Sequence, residues 1–183
     1  MGIVPQRFSQ AAAVALLATV LLAGCSSSKE AETAKAECPA MSVLSDAASL
    51  QQFRDGPGRT PDDVVYDVEV LDAKLLCDGP QGGQVTAQVG LSIYVRKGPA
   101  GKGLTEVTVP YFVTVTETNT RVLSRATYNS QVEFGNGKSS GGVIENVTVT
   151  VPLEGKSPYA FEVLTGIQLT PAQFAESRKR RGR

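Results

Sequence analysis

The sequence predicts a mainly β fold: two antiparallel sheets packed face to face, with a short helix at each end of the folded region. Three observations carry that expectation. From Val64 onward, apolar side chains recur at every second position through six segments. Turns rich in glycine and proline separate several of these segments, and no helical crossover lies between them. Helical spacing is confined to the two ends. Alternation sustained over five or more residues marks a strand with one buried face, and half-apolar strands need a second layer over that face.

In the first segment, Tyr66, Val68 and Val70 share one face, with Asp67 and Glu69 opposite. The pattern then inverts, since Leu71, Ala73, Leu75 and Cys77 fall on the other face. Such a slip predicts a bulge or bend near Leu71. After Gly79-Pro80-Gln81-Gly82-Gly83, the second segment alternates most cleanly, with Val85, Ala87, Val89, Leu91, Ile93 and Val95 inward. The third carries Val107, Val109, Tyr111, Val113 and Val115; the fourth Val122, Ala126, Tyr128, Val132 and Phe134. The fifth carries Val143, Val147, Val149, Val151 and Leu153, and the sixth Tyr159, Phe161, Val163, Ile167 and Leu169. Strands joined by turns pair antiparallel. The first choice is therefore a two-layer β-sandwich of immunoglobulin-like type, and a small barrel is the second. Roughly thirty inward side chains at about 1.5–3 kcal/mol each make an adequate core.

Before the strands, Val43, Leu44, Ala47, Leu50 and Phe53 recur at three- and four-residue spacing, which predicts a short helix over about 42–53. Gly56-Pro57-Gly58-Arg59-Thr60-Pro61 ends it. At the other end, Thr170-Pro171-Ala172-Gln173 has the form of a helix start, with Thr170 as N-cap, Pro171 in the first turn and Gln173 completing a capping box.

Residues 1–24 have the parts of a secretory signal. Arg7 supplies positive charge, and Ala11 to Ala23 is apolar except for Thr19, a run too short to span a bilayer. Leu22-Ala23-Gly24-Cys25 at its end resembles the lipobox of bacterial lipoprotein precursors. That resemblance implies a diacylglycerol on the Cys25 sulfur, cleavage before it, and usually a third acyl chain on the new amino group. Two or three chains make a durable anchor where one binds marginally, at about 0.8 kcal/mol per buried methylene. The alternative is a cytosolic protein in which this run is a buried helix. Ser26 and Ser27 follow, with no Asp at the second mature position. By analogy with Gram-negative sorting, this favours the outer membrane, facing the periplasm. Residues 25–37 are small and charged with no apolar period, the composition of a flexible tether. The expected domain then covers 38–177.

The chain has 18 basic and 18 acidic residues, no histidine and no tryptophan. Without residues 1–24 the net charge is near −1, which predicts no nucleic acid or other polyanion partner for the body. Five of the cations, Arg178, Lys179, Arg180, Arg181 and Arg183, crowd the last six residues. With no apolar partners, this run predicts a disordered tail, able to act as a second contact with an anionic membrane or acidic partner. With Cys25 acylated, Cys38 and Cys77 remain as a disulfide pair in an oxidising compartment, two free thiols being the alternative.

No constellation points to catalysis, metal or cofactor. Without histidine, Ser–His–Asp and Cys–His chemistry is excluded, and two cysteines without histidine lack the ligands for zinc. The carboxylate pairs Asp62-Asp63 and Asp67/Glu69 are expected to be solvated charge. Gly137-Lys138-Ser139 fails as a phosphate loop because Val132 stands where the pattern needs glycine, and a strand follows. Arg96, Lys97 and Lys102 form a small basic tip. Asn146-Val147-Thr148 matches a glycosylation sequon whose use is not expected mid-strand in a bacterial lipoprotein. The outward positions of the third and fifth strands, including Thr108, Phe112, Thr114 and Thr148, are free of charge. If both strands share a sheet, they make a neutral, Thr-rich contact face.

With these residues placed, most of 38–177 resembles a group of alphaproteobacterial lipoproteins. The resemblance rests on Cys38-Pro39, on Phe53-Arg54-Asp55-Gly56-Pro57-Gly58-Arg59, on Cys77, on Val109-Pro110-Tyr111-Phe112-Val113 and on Leu169-Thr170-Pro171-Ala172-Gln173. It implies localisation and a single domain, and it supplies no activity to transfer. The leading expectation is a lipid-anchored structural or protein-interaction subunit of the envelope, without catalysis. A module for a glycan, a peptidoglycan fragment or a lipid is second, and an enzyme third.

Overall fold

The computed structural model describes residues 37–180. Eight strands form two four-stranded sheets packed as a sandwich. The strands are β1 (Ala40–Val43), β2 (Ser49–Phe53), β3 (Val64–Cys77), β4 (Gln84–Lys97), β5 (Glu106–Glu117), β6 (Arg121–Glu133), β7 (Ser140–Pro152) and β8 (Phe161–Ile167). The first sheet has the order β1-β8-β5-β6 and the second β2-β3-β4-β7. All pairings are antiparallel except that of β1 with β8. All six alternating segments are strands, and the sandwich is the expected one.

The alternation decides what is buried. Val85, Ala87, Val89, Leu91, Ile93 and Val95 of β4 are inside, as are Val107, Val109, Tyr111, Val113 and Val115 of β5. The inversion in β3 is a bulge: pairing with β4 shifts between Val70 and Asp72, leaving Leu71 exposed. Val68 and Val70 pack inward before it, Ala73, Leu75 and Cys77 after it. Three expected inward residues are not inside, the exposed Ala126 of β6 among them. The β5–β6 register shifts between Val115 and Thr116, so Leu123 packs against the core while Val122 is exposed. Tyr159 lies in a 3-10 turn before β8 and is also exposed.

The N-terminal helix over 42–53 is a correction. The segment is β1, a single 3-10 turn at Ser45–Ala47, and β2. It crosses from one sheet to the other, and the apolar spacing follows from that crossing. Val43 packs on the core from the first sheet and Leu50 from the second, while Ala47 in the turn lies against Gly166. Pairing with β8 and β3 gives this backbone partners in both sheets, whereas an isolated twelve-residue helix is marginal. Leu44, at the N-cap, makes no side-chain cap.

The C-terminal helix α1 (Pro171–Arg180) has the expected capping box: Thr170 N–H donates to Gln173 Oε1 at 2.9 Å, and Gln173 N–H to Thr170 Oγ1 at 3.3 Å. It runs further than expected, so Arg178, Lys179 and Arg180 are helical and not a disordered tail. Cations in a last helical turn are favoured by the backbone dipole, Arg178 lies over the Phe174 ring at 5.8 Å, and Arg180 donates to Gln51 at 3.3 Å. Arg181 and Arg183 lie outside the described residues. Gln173 also donates to Gln52 at 2.9 Å, so α1 lies along β2, the edge of the second sheet.

The two ends of the sandwich differ. At one, Cys38 is bridged to Cys77, with a Cα–Cα distance of 5.7 Å. The bridge joins the chain ahead of β1 in the first sheet to the end of β3 in the second. At the other end lie the start of β3, the β4–β5 loop and the β6–β7 loop. The fourteen residues of β3 run between them, a length of about 45 Å at roughly 3.3 Å per residue.

Candidate functional site

The loop end holds a cleft of about 600 Å³ between the β4–β5 loop and the β6–β7 loop. Inward register puts Phe134, just after β6, at the mouth of the sandwich. Lys97, the last residue of β4, lies over its ring with Nζ 4.5 Å from the centroid. Lys102 comes from one loop and Lys138 from the other, and among the described residues no carboxylate lines the cleft.

Short contacts hold both loops. Gly98 N–H donates to Val65 O at 2.8 Å, Phe134 N–H to Thr105 O at 2.8 Å, and Lys97 N–H to Ser139 O at 2.8 Å. Gly98 and Gly101 permit this approach, since a Cβ on them would lie 2.2 Å from Val64 O and 1.9 Å from Val65 O. Only glycine lets two backbones come so close. The Lys138 N–H to Gly135 O bond of 2.9 Å closes the turn that carries Lys138, with Gly137 at a φ of 75°.

The basic tip expected from Arg96, Lys97 and Lys102 is thus rearranged. Lys97 and Lys102 share the cleft, whereas Arg96 pairs with Asp67 at 3.2 Å and lines a neighbouring cleft of about 340 Å³ with Arg59. Lys138, set aside with the rejected phosphate-loop pattern, joins Lys97 and Lys102 in the cleft from the β6–β7 loop. The paired spacing of two long strands, which fixes the loops at the same end, is the signal that could have placed it.

The expected Thr-rich face is also a correction. β5 is central in the first sheet and β7 is an edge of the second, so Thr108, Phe112 and Thr114 do not share a face with Thr148. Phe112 and Thr114 are buried: Arg125 lies over the Phe112 ring at 4.1 Å and donates to Thr114 Oγ1 at 3.4 Å. Thr108 and Thr148 are exposed on separate sheets. Near Thr148, a groove of about 290 Å³ crosses the second sheet, floored at Gly90 and flanked by the exposed Leu76 and Ile144.

Of the carboxylate pairs, Asp63 is buried and not solvated. Its carboxylate accepts from Thr60 Oγ1 at 2.6 Å and Thr60 N–H at 3.0 Å and is ion-paired with Arg54. The Thr60 bonds first, and Arg54 after them, hold its carboxyl below the usual range despite burial. It caps the turn leading into β3. Asp67 accepts from Gln51 at 2.8 Å as well as from Arg96, while Glu69 is exposed.

A polar group inside the sandwich was not anticipated. Glu145 takes an inward position on β7 and accepts from the buried Ser130 at 2.7 Å. Tyr111 stacks on Tyr128 at 5.3 Å, and its hydroxyl is pushed up to about 12, chiefly by burial, then by Glu145 and Tyr128. An inward charge on an edge strand disfavours pairing with another sheet. Among the described residues, no group of three or more Cys, Asp or Glu could hold a metal ion. Cys25 lies outside the described residues.

No protein-family model matches this chain, and no curated protein or solved structure matches it.

Proposed function

We propose that this chain is a lipid-anchored lipoprotein of the bacterial envelope, held at the outer membrane through Cys25. It serves there in the periplasm as a noncatalytic structural or protein-interaction subunit. The observation that carries this reading is the division of labour between the two ends of the sandwich. The chain enters the domain at Cys38, where the bridge to Cys77 fixes it. A tether attached there leaves the opposite end, with its loops, clefts and cations, free to meet a partner. A dozen residues of tether keep that end within tens of ångströms of the membrane.

The test is crosslinking of the intact protein in membranes, followed by purification under stringent conditions. One envelope protein should be recovered repeatedly, and substitutions in the β4–β5 and β6–β7 loops should lose it. Recovery of the chain alone across several crosslinker lengths would remove the interaction reading. A second reading, a module for a glycan, a peptidoglycan fragment or a lipid, has one observation in its favour. The loop-end cleft of about 600 Å³ is within the size range of small-molecule sites, roughly 300–1,000 Å³.

A further inference from the structure

The chemistry of that cleft goes further than its size. Residues 38–177 carry ten lysines and arginines against fifteen aspartates and glutamates. In so acidic a domain, cations should find partners, and most do. Arg54, Lys74, Arg96, Arg121 and Lys156 are ion-paired. Arg59 donates to the carbonyls of Gly56 and Gly58, and Arg125 to Gln168 and Thr114. Three remain without an ion pair or side-chain hydrogen bond among the described residues: Lys97, Lys102 and Lys138. All three line the loop-end cleft.

We propose that this cleft is an anion site for a phosphoryl-bearing ligand, with Lys97, Lys102 and Lys138 neutralising its charge. Lysines from two loops and a strand end line one opening, and among the described residues no carboxylate in the lining offsets them. Lysine meets phosphate as a point charge, and the planar arginine fork that pairs bidentately with carboxylate and phosphate alike is absent from the lining among the described residues. Asn136 and Ser139 add neutral polar groups to the wall, and Phe134 gives the base of the cleft an apolar surface. The backbone bonds that pin both loops fix the stems from which the lysines extend before any ligand arrives, which lowers the ordering cost of binding. The phosphoryl group is that of a soluble phosphate ester or of a lipid headgroup. This inference deepens the ligand-binding reading of the cleft and does not depend on the lipid anchor.

The test uses residues 36–183, a compact unit with its own core and bridge, first checked for a cooperative melt. Inorganic pyrophosphate, glucose 6-phosphate and citrate are titrated while backbone amide signals are followed. Vesicles of phosphatidylglycerol or phosphatidylcholine are tested by co-sedimentation. The expected result is saturable binding of a phosphoryl probe, with shifts centred on residues 97–102 and 135–139 and affinity falling as salt rises. Lys102→Gln and Lys138→Gln, exposed positions with little bearing on folding, should each weaken it about tenfold, and Lys74→Gln should not. Binding of the soluble esters alone identifies a free ligand; binding of phosphatidylglycerol vesicles alone, weakened by the two glutamine variants and so not carried by the cations at 178–183, identifies a headgroup. Absence of both, equal affinity for citrate, or binding unaffected by the two glutamine variants would overturn the proposal. None of these results bears on whether Cys25 carries lipid.

Discussion

Cys38→Ala and Cys77→Ala should destabilise the domain equally, each by on the order of 4 kcal/mol, the chain-entropy worth of closing a loop of this length. The bridge spans a sequence separation of 39 and fastens the two sheets to each other. Its loss frees the chain ahead of β1, a four-residue edge strand whose sheet contacts run through β8. Migration on gels should differ with and without reductant, and urea unfolding of the two single variants should coincide. Unequal losses, or a wild-type domain indifferent to reductant, would mean that the cysteines are not partners.

Gly101→Ala should cost about 3 kcal/mol, the upper part of the usual range for overpacking. The new Cβ would sit 1.9 Å from Val65 O, a backbone atom that rotamer changes cannot move. The β4–β5 loop must therefore lift from β3, taking Lys102 with it and widening the cleft. Gly103→Ala, two residues on in the same loop, meets nothing within 4 Å and should be close to neutral. Denaturant midpoints of the two variants give the comparison. A neutral Gly101→Ala would show that this loop does not rest on β3.

The sheets were legible because each long strand carries its own period. Val85 to Val95 alternates without error, and the β3 slip at Leu71 marks a bulge, since an extra residue must invert the faces. What was not legible depends on which strands share a sheet. The apolar spacing of Val43, Ala47 and Leu50 is produced by a chain passing from one sheet to the other, and it imitates a helix. The uncharged outward residues of β5 and β7 suggest one face because period says nothing of sheet membership. Phe112 is buried by Arg125, a contact 13 residues away in sequence across the β5–β6 pairing. The lysine cleft draws on Lys97, Lys102 and Lys138, whose meeting follows from strand length and order and from no local motif. The capping box at Thr170 was legible because all its partners are within four residues. The helix end was not, because Arg180 is held by Gln51 of β2, 129 residues away in sequence.

The anchor is the claim on which the proposed setting rests, and the intact mass of the protein extracted from membranes tests it most directly. The expected mass is that of a chain beginning at Cys25 with a diacylglycerol on the sulfur and a third acyl chain on the amino group. The Cys25→Ala variant should accumulate as the uncleaved precursor. A wild-type chain beginning at Cys25 or elsewhere with no lipid, or a Cys25→Ala variant cleaved and released normally, would contradict it.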